Sequence, residues 1–449
     1  MSALVDFFRT GPDRPPLEDS AAVDRVYRRT RVLVLVAVTV GYGISYTCRL
    51  GYAAAKKPLI DAGLFNANEL GQIGQAFFYT YALGKFLNGF FGDHANVRRL
   101  FSMGVLCSAL VNLAMGSHSG FWFWTALWGL NGWFQSTGAP TGAVVLANWF
   151  SNRERGRYYG VFSASHSIGE GLSFLLLGVL ISAWGWRLGF WGPAALGAVT
   201  ALGIYLMLRD RPPTIGLPPV AIWKNDFVDA GASEKKSGPT WRAQLEVLKN
   251  PSIWIIGLAN GCMYVTRYAI NSWGWLYLQD AKGYSQIEAG VLLAINTVAG
   301  MCGAFSFGLI SDKLFKARRP PCNLIFGLVE VGALCLLFFG PSGNGALFTA
   351  ALLVYGFALN GLLASLGGLF AIDLSPKRAA GAAMGVVGLF AYLGAGIQER
   401  VSGYLIQRGT TMVEGVRQVD YSAPVAFWLG ASVLSMLLAA SLWRAKMRD

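Results

Sequence analysis

Apolar residues run through this chain in long uninterrupted blocks, not in alternation and not on single helical faces. Stretches of about 18 residues or more, long enough to cross a bilayer as helix, recur twelve times. Their approximate limits are 28–55, 69–92, 99–117, 121–149, 156–183, 188–208, 250–280, 286–311, 322–340, 346–373, 379–405 and 423–443. Short polar loops separate most of them, and one longer polar stretch, 209–249, divides six from six. The pattern predicts an all-α membrane protein of twelve transmembrane helices in two six-helix bundles. A tail (1–27) precedes the first bundle (28–208); the linker (209–249), the second bundle (250–443) and a short end (444–449) follow.

Composition agrees. Apolar residues make up 54% of the chain, charged residues only 14%, and mean hydropathy is +0.44; a soluble domain carries about 25% charged residues. The net charge of +13 does not point to nucleic acid, because of where the cations lie. Taking the linker and both termini on one side, 27 Lys and Arg fall there, 7 fall in the opposite loops (Lys56 and Lys57 among them), and three remain inside spans. Cytoplasmic loops concentrate basic residues, so both termini are expected in the cytoplasm. Cys48, Cys107, Cys262, Cys302, Cys322 and Cys335 sit in or beside apolar runs without metal or disulfide spacing and read as small hydrophobes. No metal or other cofactor is expected. The acidic and basic N-terminus does not resemble a cleavable signal peptide. No hydrolase, zinc-protease or nucleotide-binding motif appears, which excludes familiar enzymes and ATP-driven pumps.

The two halves repeat. Gly89-x-x-x-Asp93 with Arg98-Arg99 follows span two, and Gly308-x-x-x-Asp312 with Arg318-Arg319 follows span eight. Arg153-x-Arg155 precedes span five as Lys377-Arg378 precedes span eleven. Parallel repeats of this kind are related by an axis along the membrane normal, and their substrate sites lie between the halves near mid-membrane. The acidic and basic loop residues are expected to pair in gating clusters on the cytoplasmic face. The Gly156–Gly160 and Gly381–Gly385 spacings suit close helix packing.

Three basic charges are left inside spans by this count: Arg49, Lys85 and Arg267. An arginine there costs roughly 2.5–3.5 kcal/mol on insertion scales and marks a functional site or a structural ion pair. Tyr46-Thr47-Cys48-Arg49 returns as Tyr264-Val265-Thr266-Arg267, and each arginine lies 18 residues beyond the last charge on the linker side, Arg31 or Lys249. Equal depth on related helices aims two guanidiniums at one cavity, where planar forks match phosphate oxygens. Span one contains no carboxylate and span seven none before Asp280, which favours a ligand over internal pairing. Residues three and four apart share a helix face, so Tyr42 and Tyr46 flank Arg49, while Asn260, Tyr264 and Asn271 flank Arg267. Lys85 either snorkels toward Asp93 or adds to a basic cavity. His166 lies inside span five with Ser163 and Glu170 on its face; Glu170 either keeps the imidazole protonated or meets a cationic part of a substrate. Glu330, midway along span nine, has no assigned role.

These features resemble the major facilitator superfamily over nearly the whole chain, and within it the organophosphate:phosphate antiporter family. The Tyr-x-x-Arg of span one, Gly84-Lys85-Phe86, the loop Asn148-Trp149-Phe150-Ser151-Asn152-Arg153-Glu154-Arg155-Gly156, His166, Gly216-Leu217-Pro218-Pro219 and Arg267 carry the resemblance. It implies exchange of an organophosphate for inorganic phosphate by alternating access. The arginine pair then binds phosphate, the family's histidine contacts it, and its lysine completes the basic cavity. The sequence departs from the family pattern at Leu50 (usually lysine), at Ser272 and Thr297 (usually acidic) and at Glu170 (usually glycine), which leaves the organic moiety open. A sugar-phosphate receptor and a proton-coupled organic-anion carrier using Glu170 and His166 are the alternative expectations. A monomer in a bacterial inner membrane is expected, with a phosphate ester, inorganic phosphate and lipid as its partners.

Overall fold

The computed structural model describes residues 6–226, 240–316, 318–341, 344–375 and 380–443. Its helices run in chain order as α1 (Ser20–Ser45), α2 (Thr47–Asp61), α3 (Ala67–His94), α4 (Val97–Ser117), α5 (Phe121–Gln135), α6 (Gly138–Trp149), α7 (Asn152–Trp184) and α8 (Leu188–Met207), then α9 (Thr240–Lys249), α10 (Pro251–Lys282), α11 (Gln286–Leu314), α12 (Arg319–Phe339), α13 (Gly345–Ala364), α14 (Phe370–Asp373), α15 (Ala380–Arg408) and α16 (Ser422–Ser441). Twelve membrane-length rods result among the described residues, because α1–α2, α5–α6 and α13–α14 are each one rod with an interruption. Nine of the rods are apolar enough to be recognised as spans by composition; the other three are α3, α5–α6 and α10.

The interruptions have local causes. Ser45 and Thr47 donate their hydroxyls back to the carbonyls of Tyr42 and Ile44, at 2.7 and 2.8 Å, a pattern that bends helices. α1 ends there and α2 restarts at Thr47, two residues before Arg49. Neighbouring helices also hold the carbonyls at and just past the break. Gln135 Nε2 donates to Ser45 O at 3.1 Å, and Asn112 and Asn131 both donate to Cys48 O, at 2.9 and 3.0 Å. A buried carbonyl left unmet in lipid costs several kcal/mol, so these amides stabilise the kink that presents Arg49. Ser136 and Thr137 make the same back-bonds at the α5–α6 break, and a π-turn at Ser365–Leu369 joins α13 to α14.

The start of α1, the end of α16 and the described part of the linker lie on one face, called here the linker face; the opposite one is the far face. At the far face the two halves touch. A Cβ placed on Gly71 of α3 would stand 2.5 Å from Glu399 O and 3.0 Å from Gly403 Cα of α15, so glycine alone permits this approach. Gly178 of α7 faces Gly290 of α11 across the same seam, with their Cβ position and Cα 3.8 Å apart. Ala67 N–H donates to Gln407 at 3.1 Å, Gln286 donates to Ala54 O at 3.0 Å, and Arg400 bonds Asn68. At the linker face the halves stand apart: Gly156 and Gly160 of α7, Gly308 of α11, and Gly381 and Gly385 of α15 have open space where a Cβ would be. The Gly156–Gly160 and Gly381–Gly385 pairs therefore pack against nothing in this state, contrary to the sequence expectation. The molecule is open toward the linker face and closed at the far face.

Two features escape the twelve-span pattern. Thr410–Val413 (β1) and Val416–Val419 (β2) form an antiparallel hairpin at the far face, turned by Glu414 and Gly415 at φ 52° and 79°, the left-handed pair that tight hairpin turns require. The first part of the linker is docked onto the first bundle: Trp223 stacks on Tyr27 with ring centroids 4.0 Å apart, and Tyr27 Oη donates to Pro218 O at 2.7 Å.

Candidate functional site

Arg49 and Arg267 meet at the interface of the halves. Both are buried, and the Tyr268 ring lies beside both, 5.6 Å from Arg49 Cζ and 5.8 Å from Arg267 Cζ. Arg49 donates to Tyr268 Oη and is surrounded by aromatic faces: Tyr81, Phe77, Tyr46 and Phe78 lie 5.1–5.6 Å from its Cζ. Such contacts contribute about 0.5–2 kcal/mol each. Among the described residues no carboxylate pairs with Arg49.

Arg267 differs. Its guanidinium stands 3.6 Å from Glu170 Oε2, and Asn271 Nδ2 donates to Glu170 Oε1 at 2.8 Å. A carboxylate does therefore answer Arg267, contrary to the inventory taken along span seven alone: α7 brings it across from the other half. Glu170 thus holds the arginine and the amide, and among the described residues no hydrogen bond or ion pair joins it to His166.

The remaining candidates fall around this pair. Tyr42 and Tyr46 meet edge-on at 5.6 Å, and Tyr46 lies 5.8 Å from the His166 ring. His166 is half-buried; its Nδ1 contacts Ser163 O at 2.6 Å and its Nε2 contacts Ser167 Oγ at 3.3 Å. Ser163 therefore takes part through its backbone. Tyr264 bridges Tyr268 and Tyr392 at 5.9 and 5.7 Å. Lys85 is exposed on the open side and rests its Nζ 5.2 Å from the Tyr392 centroid, on the wall of the cavity. Thr297 donates to Leu293 O of its own helix at 3.0 Å and so does not present its hydroxyl. Tyr268, Tyr81 and Tyr392 were not among the candidates; spacing along span one or seven does not mark a contact made from another helix, whether of the same half, as with Tyr81, or of the other, as with Tyr268.

A second charged centre lies farther toward the far face. Lys56, counted above as an outer-loop cation, is fully buried on α2. Its Nζ donates to Glu399 Oε2 and Ser272 Oγ, both at 2.8 Å, and stands 3.6 Å over the Trp273 ring. Glu399, on α15, is equally buried. Lys57 next to it pairs with Asp280 at 3.0 Å, and Asp280 also takes Arg417 at 3.0 Å. A narrow cavity between Arg49 and this centre is lined by Leu50, Asn271, Ser272 and Glu399.

The loop clusters pair differently from expectation. Asp312 bonds Arg319 at 2.8 Å rather than Arg318, and Asp373 takes the same arginine at 2.8 Å. Arg153 pairs with Asp226 of the linker at 3.4 Å, and Arg155 donates to Ala147 O and Phe150 O. Arg98 donates to Tyr205 O at 2.5 Å, and Arg99 bonds Phe7 O. The Asp93 side chain, Lys377 and Arg378 lie outside the described residues. Glu330 is buried inside the second bundle with Oε1 unpartnered.

Two six-helix bundles around a buried arginine pair define a polytopic membrane protein of transporter type. Comparison with known proteins is consistent with this. The model of the Major Facilitator Superfamily matches residues 28–398. The membrane sensor protein UhpC of Salmonella typhimurium is 33% identical over 97% of this chain and 97% of its own. A probable hexose phosphate transport protein of Chlamydia pneumoniae is 33% identical over 88% of this chain and 89% of its own. The glycerol-3-phosphate transporter of Bacillus subtilis is 30% identical over 99% of each. A bacterial homologue of the human lysosomal transporter Spinster, solved inward-facing and unoccupied, superposes with a TM-score of 0.75 over 94% of this chain and 99% of that one; at 17% identity it shares the fold alone. The chain belongs to the major facilitator superfamily and, within it, to the organophosphate:phosphate antiporter family. It is thus a multi-pass membrane carrier, not an enzyme.

Proposed function

We propose that this protein exchanges an organophosphate for inorganic phosphate by alternating access, with both termini in the cytoplasm of a bacterial inner membrane and the monomer as the working unit. The observation that carries this reading is the arginine pair on one shared tyrosine, one guanidinium from each half. A phosphoryl group set between them would draw the halves together. Arg49, whose guanidinium among the described residues hydrogen-bonds a phenol and no carboxylate, has donors to give. His166 and Lys85 extend the positive surface toward the open face, and Tyr42, Tyr46, Tyr264 and Asn271 supply directional hydrogen bonds. The three relatives above bear names of hexose phosphate, glycerol-3-phosphate and sensing proteins, which supports the substrate class.

The test is counterflow in proteoliposomes loaded with phosphate, with labelled phosphate outside and a panel of phosphate esters as competitors. Exchange is expected, and absence of exchange across the pH range would sink the reading. Arg49→Lys and Arg267→Lys keep the charge but lose the fork; each is expected to abolish exchange. A second reading, a transporter-like receptor, is favoured by the sensor among the relatives. It predicts phosphate-ester binding without exchange.

A further inference from the structure

Glu170 decides more than the pairing of Arg267. Its carboxylate is buried on α7, and both of its partners come from the other half: Asn271 Nδ2 on Oε1 at 2.8 Å and Arg267 on Oε2 at 3.6 Å. The second contact is too long for a hydrogen bond. Arg267 therefore keeps donors for a phosphoryl group without giving up Glu170, and ligand and carboxylate come to share one guanidinium. The local inventory is then two arginines, one carboxylate and the ligand's phosphoryl charge. A dianion on the arginines already balances them, which leaves Glu170 as surplus negative charge beside it in a site screened from water. Like charges at such separations repel strongly where the dielectric is low.

Other cations do not resolve this. Lys85 rests its Nζ against the Tyr392 ring of α15. His166 directs Nδ1 to Ser163 O of its own helix. Lys56 is committed to Glu399. Among the described residues Arg267 is the one cation paired with Glu170, so a cationic group on a phosphate ester is the complement that the carboxylate lacks.

We infer that the phosphate ester bound here carries a protonated amine close to its phosphoryl group, as in an aminoalkyl phosphate or an amino-sugar phosphate, and that Glu170 is the residue selecting for it. This rests on the phosphate-binding reading above. Arg49 and Arg267 take the phosphoryl end, and the ammonium meets Glu170 within the same cavity, so the occupied site is close to neutral.

The test is displacement of labelled inorganic phosphate from the full-length protein in proteoliposomes at neutral pH. The competitors are 2-aminoethyl phosphate and its isostere without the ammonium, 2-hydroxyethyl phosphate, followed by the amino and hydroxy forms of a hexose 6-phosphate. Wild type is expected to prefer each amino ester by about tenfold, the scale of one well-placed ion pair. Glu170→Gln, which keeps the shape and an acceptor for Asn271, is expected to erase or invert the preference, and Glu170→Asp to retain part of it. Equal ranking of amino and hydroxy esters in wild type, or the same ranking in wild type and Glu170→Gln, overturns the inference while leaving phosphate binding intact. A Glu170→Gln effect confined to the pH dependence of phosphate binding overturns it in favour of a proton-carrying carboxylate. Failure of every phosphate compound to bind removes the phosphate reading itself, and this inference with it.

Discussion

The two arginines are symmetric in sequence and asymmetric in their partners. Arg49 donates to Tyr268 and rests among aromatic faces, whereas Arg267 pairs with Glu170. Helical spacing brought out Tyr42, Tyr46, Tyr264 and Asn271, because residues three and four apart share a face. It passed over Tyr268, the next residue after Arg267, since that side chain serves the arginine of the other half. It passed over Gln135, Asn112 and Asn131 for a related reason: their task is to satisfy carbonyls at a break on another helix. Tyr268 Oη takes the Arg49 donor that a phosphoryl oxygen would compete for. Tyr268→Phe leaves an Arg49 donor unmet, a loss of about 1–3 kcal/mol. The variant is expected to melt earlier than wild type without ligand, and the gap should narrow in saturating phosphate, where the phosphoryl takes the donor. A gap that phosphate does not change would show that Tyr268 is a structural partner only.

Span limits were legible in the apolar runs, while the events inside them were not. The α1–α2 kink arises from back-bonding by Ser45 and Thr47 combined with amides on α4 and α5, and no one of these features signals a break by itself. The same limit affected Lys56. One residue from Lys57 at the end of an apolar run, it looked like a loop cation; its acid, Glu399, lies more than three hundred residues away in sequence. Leu50 and Ser272 lack the charges that the family pattern has there, and both line the cavity that also reaches Glu399. The buried charges here are instead Lys56 on α2 and Glu399 on α15, whose pair fastens the halves. A buried pair contributes little net stability when intact but costs about 3–5 kcal/mol when one partner is removed. Lys56→Met and Glu399→Gln are each expected to lower thermal stability by that order and to loosen the far face. The double variant Lys56→Met/Glu399→Leu is expected to recover most of the stability, as a double-mutant cycle on melting temperature will show. Additive losses would mean that the two residues do not act as a pair.

At the scale of the whole molecule, small residues mark two seams, only one of which is closed. The far-face seam is built: Gly71 meets Gly403, and Gly178 meets Gly290. On the same helices, one membrane thickness away, Gly160 of α7 and Gly308 of α11 have nothing beside them. The repeat relates α3 to α11 and α7 to α15, so a rocking motion that opens the first seam brings the ends of α7 and α11 together at the linker face. Small residues let helix backbones approach, and their presence on an open surface makes sense as the contact of the other state. Cysteine pairs in a background free of the six native cysteines test this. Gly178→Cys with Gly290→Cys is expected to cross-link readily in the empty protein and to block exchange. Gly160→Cys with Gly308→Cys is expected to cross-link slowly when empty and faster once phosphate drives turnover, because only the alternate state brings the two together. A bulky residue at Gly160, such as Gly160→Leu, is expected to leave folding and phosphate binding from the linker face intact while stopping exchange, since the open space it fills is needed only for closure. Equal cross-linking of the second pair with and without phosphate, or full exchange by Gly160→Leu, would show that the two seams do not alternate.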